Sequence, residues 1–156
     1  MGKNVALVLS SGGARGFAHI GAIKVLEENG YNITSVAGTS MGALVGGIYA
    51  SGRLREFEEW VTTLDIMEVL KLTDISLSRK GFVKGTRVME KIKEIVPDRR
   101  IEDLPIPYSA VATDLMRGRE RIFNAGSLFD AIRASISIPT FFQPFRMGRD
   151  YFVDGG

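Results

Sequence analysis

Twice within its first fifty residues the chain passes from a short apolar run, through a glycine-containing turn, into a helix-spaced pattern. The first passage is Val5 to Leu9, then "SSGGARG", then "FAHIGAIKVLEENG"; the second is Ile33 to Ala37, the turn at Ser40, then "MGALVGGIYASG". Strand, helix, strand, helix at this spacing argues for parallel pairing through right-handed crossovers. The unbroken apolar character of Val5 to Leu9 predicts a buried strand. In the first helix Phe17, Ile20, Ile23 and Leu26 keep helical spacing, and Gly30 stands where a C-terminal cap belongs. The second helix is expected to close at Gly52.

Further along, "RLREFEEWVTTL" places Leu54, Phe57, Val61 and Leu64 on one face of an amphipathic helix. Residues 65 to 84 are apolar without a clean period, which predicts irregular or short helical structure. Thr86 is positioned to cap a helix whose Val88, Ile92 and Ile95 form the buried face, ending before Pro97. "LPIPYSAVATDL" and "RERIFNA" read as strands, and "SLFDAIRASISI" as a helix stopped by Pro139. "FRMGRDYFVDGG" reads as a closing hairpin turning at Gly148. The expected fold class is α/β, a three-layer α/β/α sandwich with a mainly parallel central sheet. The chain ends directly after a strand, with no helix to cover it. The expectation is therefore a single domain over residues 1–156, truncated at its C-terminus.

Composition narrows the function classes. The chain is 45% hydrophobic and 24% charged, and its net charge of +2 implies no nucleic-acid partner. Cysteine is absent, which removes thiolate and disulfide chemistry and fits a cytoplasmic location. The first apolar run is too short for a secretory signal or a membrane span. No metal site is suggested, and no cofactor is expected: the Asp and Glu residues do not form a calcium loop, and His19 is the one histidine. The Gly12-Gly13 run lacks both the Gly-Lys-Ser/Thr of a nucleotide P-loop and the spacing of a dinucleotide fingerprint.

Ser40 lies in Gly38-Thr39-Ser40-Met41-Gly42, a serine between two glycines at a strand-to-helix junction. Such a turn can push the hydroxyl outward, next to the free N–H groups of a helix N-terminus. The alternative is an ordinary tight junction with a capping serine. A nucleophile needs a base, and His19, between Ala18 and Ile20 on a helix, is more readily a packed or capping histidine. That leaves a carboxylate. A free aspartate has a pKa of about 3.9 and is a weak base toward an alcohol, so other groups must carry much of the barrier. Gly12-Gly13-Ala14-Arg15-Gly16 is the candidate: its amides can converge on an anion, and Arg15 adds positive charge. A plain turn with a surface arginine is the other reading.

Four pieces stand together in this order: Gly12-Gly13-Ala14-Arg15-Gly16, Gly38-Thr39-Ser40-Met41-Gly42, "AIRASISIP", and Asp154-Gly155-Gly156. Together they resemble the patatin-like phospholipase family, of the small bacterial type. The resemblance implies a patatin-like fold and a Ser-Asp dyad without histidine. Ser40 is then the nucleophile, Asp154 the base, and the amides of residues 12–16 the oxyanion hole, with no cofactor. The implied reaction is hydrolysis of carboxylic esters of phospholipids or lysophospholipids through an acyl-enzyme. Two departures stand out: Ser11 occupies a position where the family often has a third glycine, and the sequence ends just after the dyad aspartate.

The apolar stretch 65–84, flanked by Lys71, Arg79, Lys80 and Lys84, is a candidate flap or peripheral membrane contact. Core packing and a solvated face account for it equally well. Phe141, Phe142 and Phe145 are candidates to line an acyl groove, or to belong to the core. Two alternatives accompany the hydrolase reading: a broad-specificity esterase or acyltransferase, and a catalytically silent lipid- or anion-binding protein. Nothing in the sequence indicates an oligomeric state.

Overall fold

A computed structural model describes residues 2–64, 82–96, 98–139 and 142–156. The chain forms β1 (Lys3–Leu9), a 3-10 turn (Gly13–Phe17), α1 (Ala18–Glu28), β2 (Tyr31–Thr39), α2 (Met41–Ala50) and α3 (Leu54–Thr63). There follow α4 (Phe82–Ile95), a second 3-10 turn (Ile101–Asp103), β3 (Tyr108–Asp114), β4 (Arg119–Phe123), α5 (Leu128–Ser135), β5 (Phe145–Met147) and β6 (Asp150–Asp154). All six strands belong to one sheet. Its body, β1–β2–β3, is parallel as the early sequence predicts, while β4 and β6 pair antiparallel with β3 and β5 extends β6. Helices flank the sheet, so the expected α/β architecture holds.

Helix α2 lies at the centre of the packing, touching β1, β2, β3, α1, α3 and α5. Its composition explains the position. Ala43, Val45, Ile48 and Ala50 are fully buried, an all-round apolar helix that only an interior site can accept. Gly46 lies against Val36 of β2, and Gly47 lies against Ile132 of α5 and Tyr108 of β3, so both neighbours approach closely. Strand β3 alternates strictly, with Tyr108, Ala110, Ala112 and Asp114 buried.

Three sequence expectations need correction. β1 is not a buried strand but the edge of the sheet. Val5, Leu7 and Leu9 pack on the core while Val8 is 79% exposed, because an apolar run reads the same at an edge as at the centre. α4 begins at Phe82 rather than at Thr86, with Met89 and Ile92 as its buried residues. α5 ends at Ser135, short of Pro139, and residues 136–138 continue as irregular chain. The expectation for residues 65–81 lies outside the described residues.

Candidate active site

The pairing of β3 decides where the site forms. β4 occupies one edge of β3 along residues 110–114. On the opposite edge, β2 pairs in parallel as far as Thr39↔Val111, and β6 pairs antiparallel beginning at Asp154↔Ala112. β2 and β6 therefore meet end on, beside consecutive residues of β3. The residue after Thr39 and the last residue of β6 are Ser40 and Asp154, 114 positions apart in sequence. Ser40 Oγ donates a hydrogen bond of 2.5 Å to Asp154 Oδ2.

Ser40 is the only non-glycine residue with positive φ among the described residues, at φ 56° and ψ −123°. Such a backbone costs on the order of 1–3 kcal/mol and persists only where its surroundings over-determine it. Close approach does that here. A Cβ on Gly38 would lie 2.3 Å from the Gly42 carbonyl oxygen, and one on Gly42 would lie 2.2 Å from that of Leu9. The side chain makes no capping bond to α2, so the capping-serine alternative does not describe it. Ser40 is 4% exposed.

Further bonds hold the pair. The Ser40 N–H donates to Ser135 Oγ at 2.8 Å, and that hydroxyl donates to the Val111 carbonyl at 2.5 Å. The Asp154 N–H donates to the Ser137 carbonyl at 3.0 Å, and the Gly156 N–H donates to Asp154 Oδ1 at 2.8 Å. Ser135 and Ser137 lie within "AIRASISIP", a stretch that carries the resemblance without a role for either serine. The available signal was two hydroxyls in an otherwise apolar helix end.

The loop after β1 turns through Gly12 and Gly13, both with positive φ, into a short 3-10 helix that leads directly to α1. The Arg15 N–H is engaged by the Gly12 carbonyl at 3.0 Å, so the amides at the open start of the turn are those of Gly12, Gly13 and Ala14. Gly16 is buried against Met41, the residue following Ser40, whose Cγ would lie 2.2 Å from a Cβ there. Arg15 is exposed. Ser11 lies beside the chain end, with its Oγ 2.9 Å from where a Gly156 Cβ would be. His19 Nε2 bonds the Ser10 carbonyl at 2.9 Å, a structural role for the loop.

Phe142 and Phe145 are both half-buried and share one neighbour. Their ring centroids lie 4.9 Å and 5.7 Å from the Arg133 guanidinium. Phe141 and residues 65–81 lie outside the described residues. Among the described residues no group of three or more His, Cys, Asp or Glu side chains converges, and no helix is long and apolar enough to cross a membrane. Further along the sheet, Asp114 at the end of β3 accepts from Arg117 at 2.6 Å, and Arg117 also reaches Asp150 at 3.0 Å. The Arg117 bond holds the Asp114 carboxyl below its ordinary value, against the opposing effect of burial.

Residues 7–156 match the family described as patatin-like phospholipase. An uncharacterized NTE family protein of Mycobacterium tuberculosis is 49% identical over 152 residues, covering 97% of this chain and 42% of that protein. The human patatin-like phospholipase domain-containing protein 6 is 34% identical over 163 residues, covering 99% of this chain and 12% of that protein. The chain thus spans less than half the length of these relatives. Among solved structures, VipD from Legionella pneumophila superposes with a TM-score of 0.60 at 18% identity, over 99% of this chain and 46% of that one, a likeness of fold.

Proposed function

Because the chain belongs to the patatin-like phospholipase family, we propose that it is a serine acyl hydrolase in which Ser40 attacks a carboxylic ester and Asp154 takes the proton. The substrates in this reading are phospholipids or lysophospholipids, met at a membrane surface. The observation that carries it is the 2.5 Å hydrogen bond from Ser40 Oγ to Asp154 Oδ2.

As Ser40 Oγ bonds to the acyl carbon, its proton passes to Asp154 and the carbonyl oxygen becomes an oxyanion. The amides of Gly12, Gly13 and Ala14 are the donors for that charge, with Arg15 and the N-terminus of α2 adding positive potential. Each well-placed donor contributes about 3 kcal/mol of transition-state stabilisation, which is why so weak a base suffices. Collapse expels the alcohol, which recovers the proton from Asp154. Water, deprotonated by Asp154, then attacks the acyl-Ser40 ester; the second tetrahedral intermediate collapses, Asp154 returns its proton to Ser40 Oγ, and the fatty acid is released.

Fluorophosphonate labelling read by intact mass tests this directly. We expect one adduct on the wild type, none on Ser40→Ala, and labelling slowed by about a hundredfold or more in Asp154→Asn. A wild type that takes no adduct and hydrolyses no ester overturns the reading and favours a lipid- or anion-binding protein. Turnover of short-chain esters in preference to phospholipids favours the broad-specificity esterase.

A further inference from the structure

We propose that the C-terminal end of α5 is a clamp that sets the distance between nucleophile and base, with Ser135 as a positioning residue for Ser40. The inference rests on the Ser40–Asp154 reading and goes beyond it in assigning a role to a residue that touches neither substrate nor reacting atom.

A serine near a helix end ordinarily returns its hydroxyl to the carbonyl one turn back. Ser137 does so, donating to the Arg133 carbonyl at 2.6 Å. Ser135 does not. Its Oγ accepts from the Ser40 N–H at 2.8 Å and donates to the Val111 carbonyl at 2.5 Å. Those two backbone groups sit where β2 ends against β3, since Thr39 pairs with Val111. Ser135 is 0% exposed, so a hydroxyl there is costly unless both of its bonds are made. Two residues on, the Ser137 carbonyl accepts the Asp154 N–H at 3.0 Å. One turn of chain thus grips the nucleophile's backbone through a side chain and the base's backbone through a carbonyl. Arg133 steadies that turn, with its guanidinium hydrogen-bonded to Ser137 Oγ at 2.5 Å and lying against Phe142 and Phe145.

The chemistry makes such a grip consequential. Ser40 holds a backbone conformation that few residues adopt, and the Ser135 bond is made by the N–H of that same residue. Losing it takes from the buried Ser40 N–H its bond to Ser135 Oγ and frees the turn at Ser40 to relax. Displacement of a reacting group by about 1 Å can cost about a hundredfold in rate, with substrate binding untouched. A positioning role therefore reads out in kcat and not in KM.

The experiment measures kcat and KM for p-nitrophenyl butyrate on the wild type and on Ser135→Ala, Ser135→Thr and Ser135→Val, with fluorophosphonate labelling and thermal melting alongside. Ser135→Ala adds no volume, and we expect it to melt cooperatively with kcat reduced about tenfold or more and KM within about twofold of wild type. Thr and Val have nearly the same shape but differ in the hydroxyl, so Thr is expected to keep at least about tenfold more kcat than Val. A wild-type kcat in Ser135→Ala, a loss carried by KM, or equal kcat in Thr and Val overturns the clamp while an active, labelled wild type leaves the dyad standing. A wild type inert toward both reagents overturns the dyad and the clamp together.

Discussion

At Gly42 the constraint on the turn at Ser40 comes from backbone and not from side chains. A Cβ there would lie 2.2 Å from the Leu9 carbonyl oxygen and 2.5 Å from that of Ser10, both at the end of β1. Those atoms cannot yield without moving β1 away from β2. Gly42→Ala is therefore expected to destabilise the fold by about 1–3 kcal/mol and to misplace Ser40 as well. Gly21, exposed on α1, supplies the contrast, because a Cβ there meets nothing within 4 Å. Gly21→Ala is expected to gain about 0.5–1 kcal/mol, the ordinary helix preference for alanine. Urea midpoints of the two variants, moving in opposite directions from wild type, check both expectations. Equal midpoints remove the steric account of Gly42.

At the scale of elements, the strands and helices of the first fifty residues were legible because their signals are local: apolar runs, helical spacing, and glycines at Gly30 and Gly52 with φ of 77° and 76°. The meeting of β2 with β6 was not legible from pattern. It depends on pairing Thr39 with Val111 and Ala112 with Asp154, which no short window records. Asp154 is picked out only by resemblance to a family, and Ser135 lies within "AIRASISIP" with no role attached, since a buried serine looks like any other in sequence. The hairpins that bring β6 into place are braced by Arg117, which bonds both Asp114 and Asp150. The folded Asp114 pKa lies below its ordinary value, so this carboxyl stabilises the fold above the ordinary carboxylate range. That stability is lost as pH falls below about 4 and through the lowered folded value. Asp114→Asn is expected to be less stable than wild type at neutral pH and to lose less on acidification. Urea midpoints measured from neutral pH down to about 3 read the difference. Parallel curves for the two proteins exclude the Arg117 brace as an acid-sensitive element.

Over the whole molecule, every piece of the candidate site hangs from one core. The loop after β1 rests on α2 through Gly16 and Met41, and Ser40 begins α2. Ser135 ends α5, and Asp154 ends a strand paired to β3. α2 and α5 are themselves packed together, with Ile132 of α5, 1% exposed, seated against Gly47 of α2. No part of this arrangement can open alone without parting strands or helices that also bury the core. The site and the fold are therefore expected to be lost in one cooperative transition. Ile132→Ala, which leaves a cavity between the two helices that carry Ser40 and Ser135, should lower stability by about 2–5 kcal/mol. Circular dichroism and the rate of fluorophosphonate labelling, followed through the same urea series, should give coincident midpoints in the wild type. Both should shift together in the variant. Labelling that disappears at lower urea than the helical signal places the site in a separately melting unit, and the shared core then does not hold it.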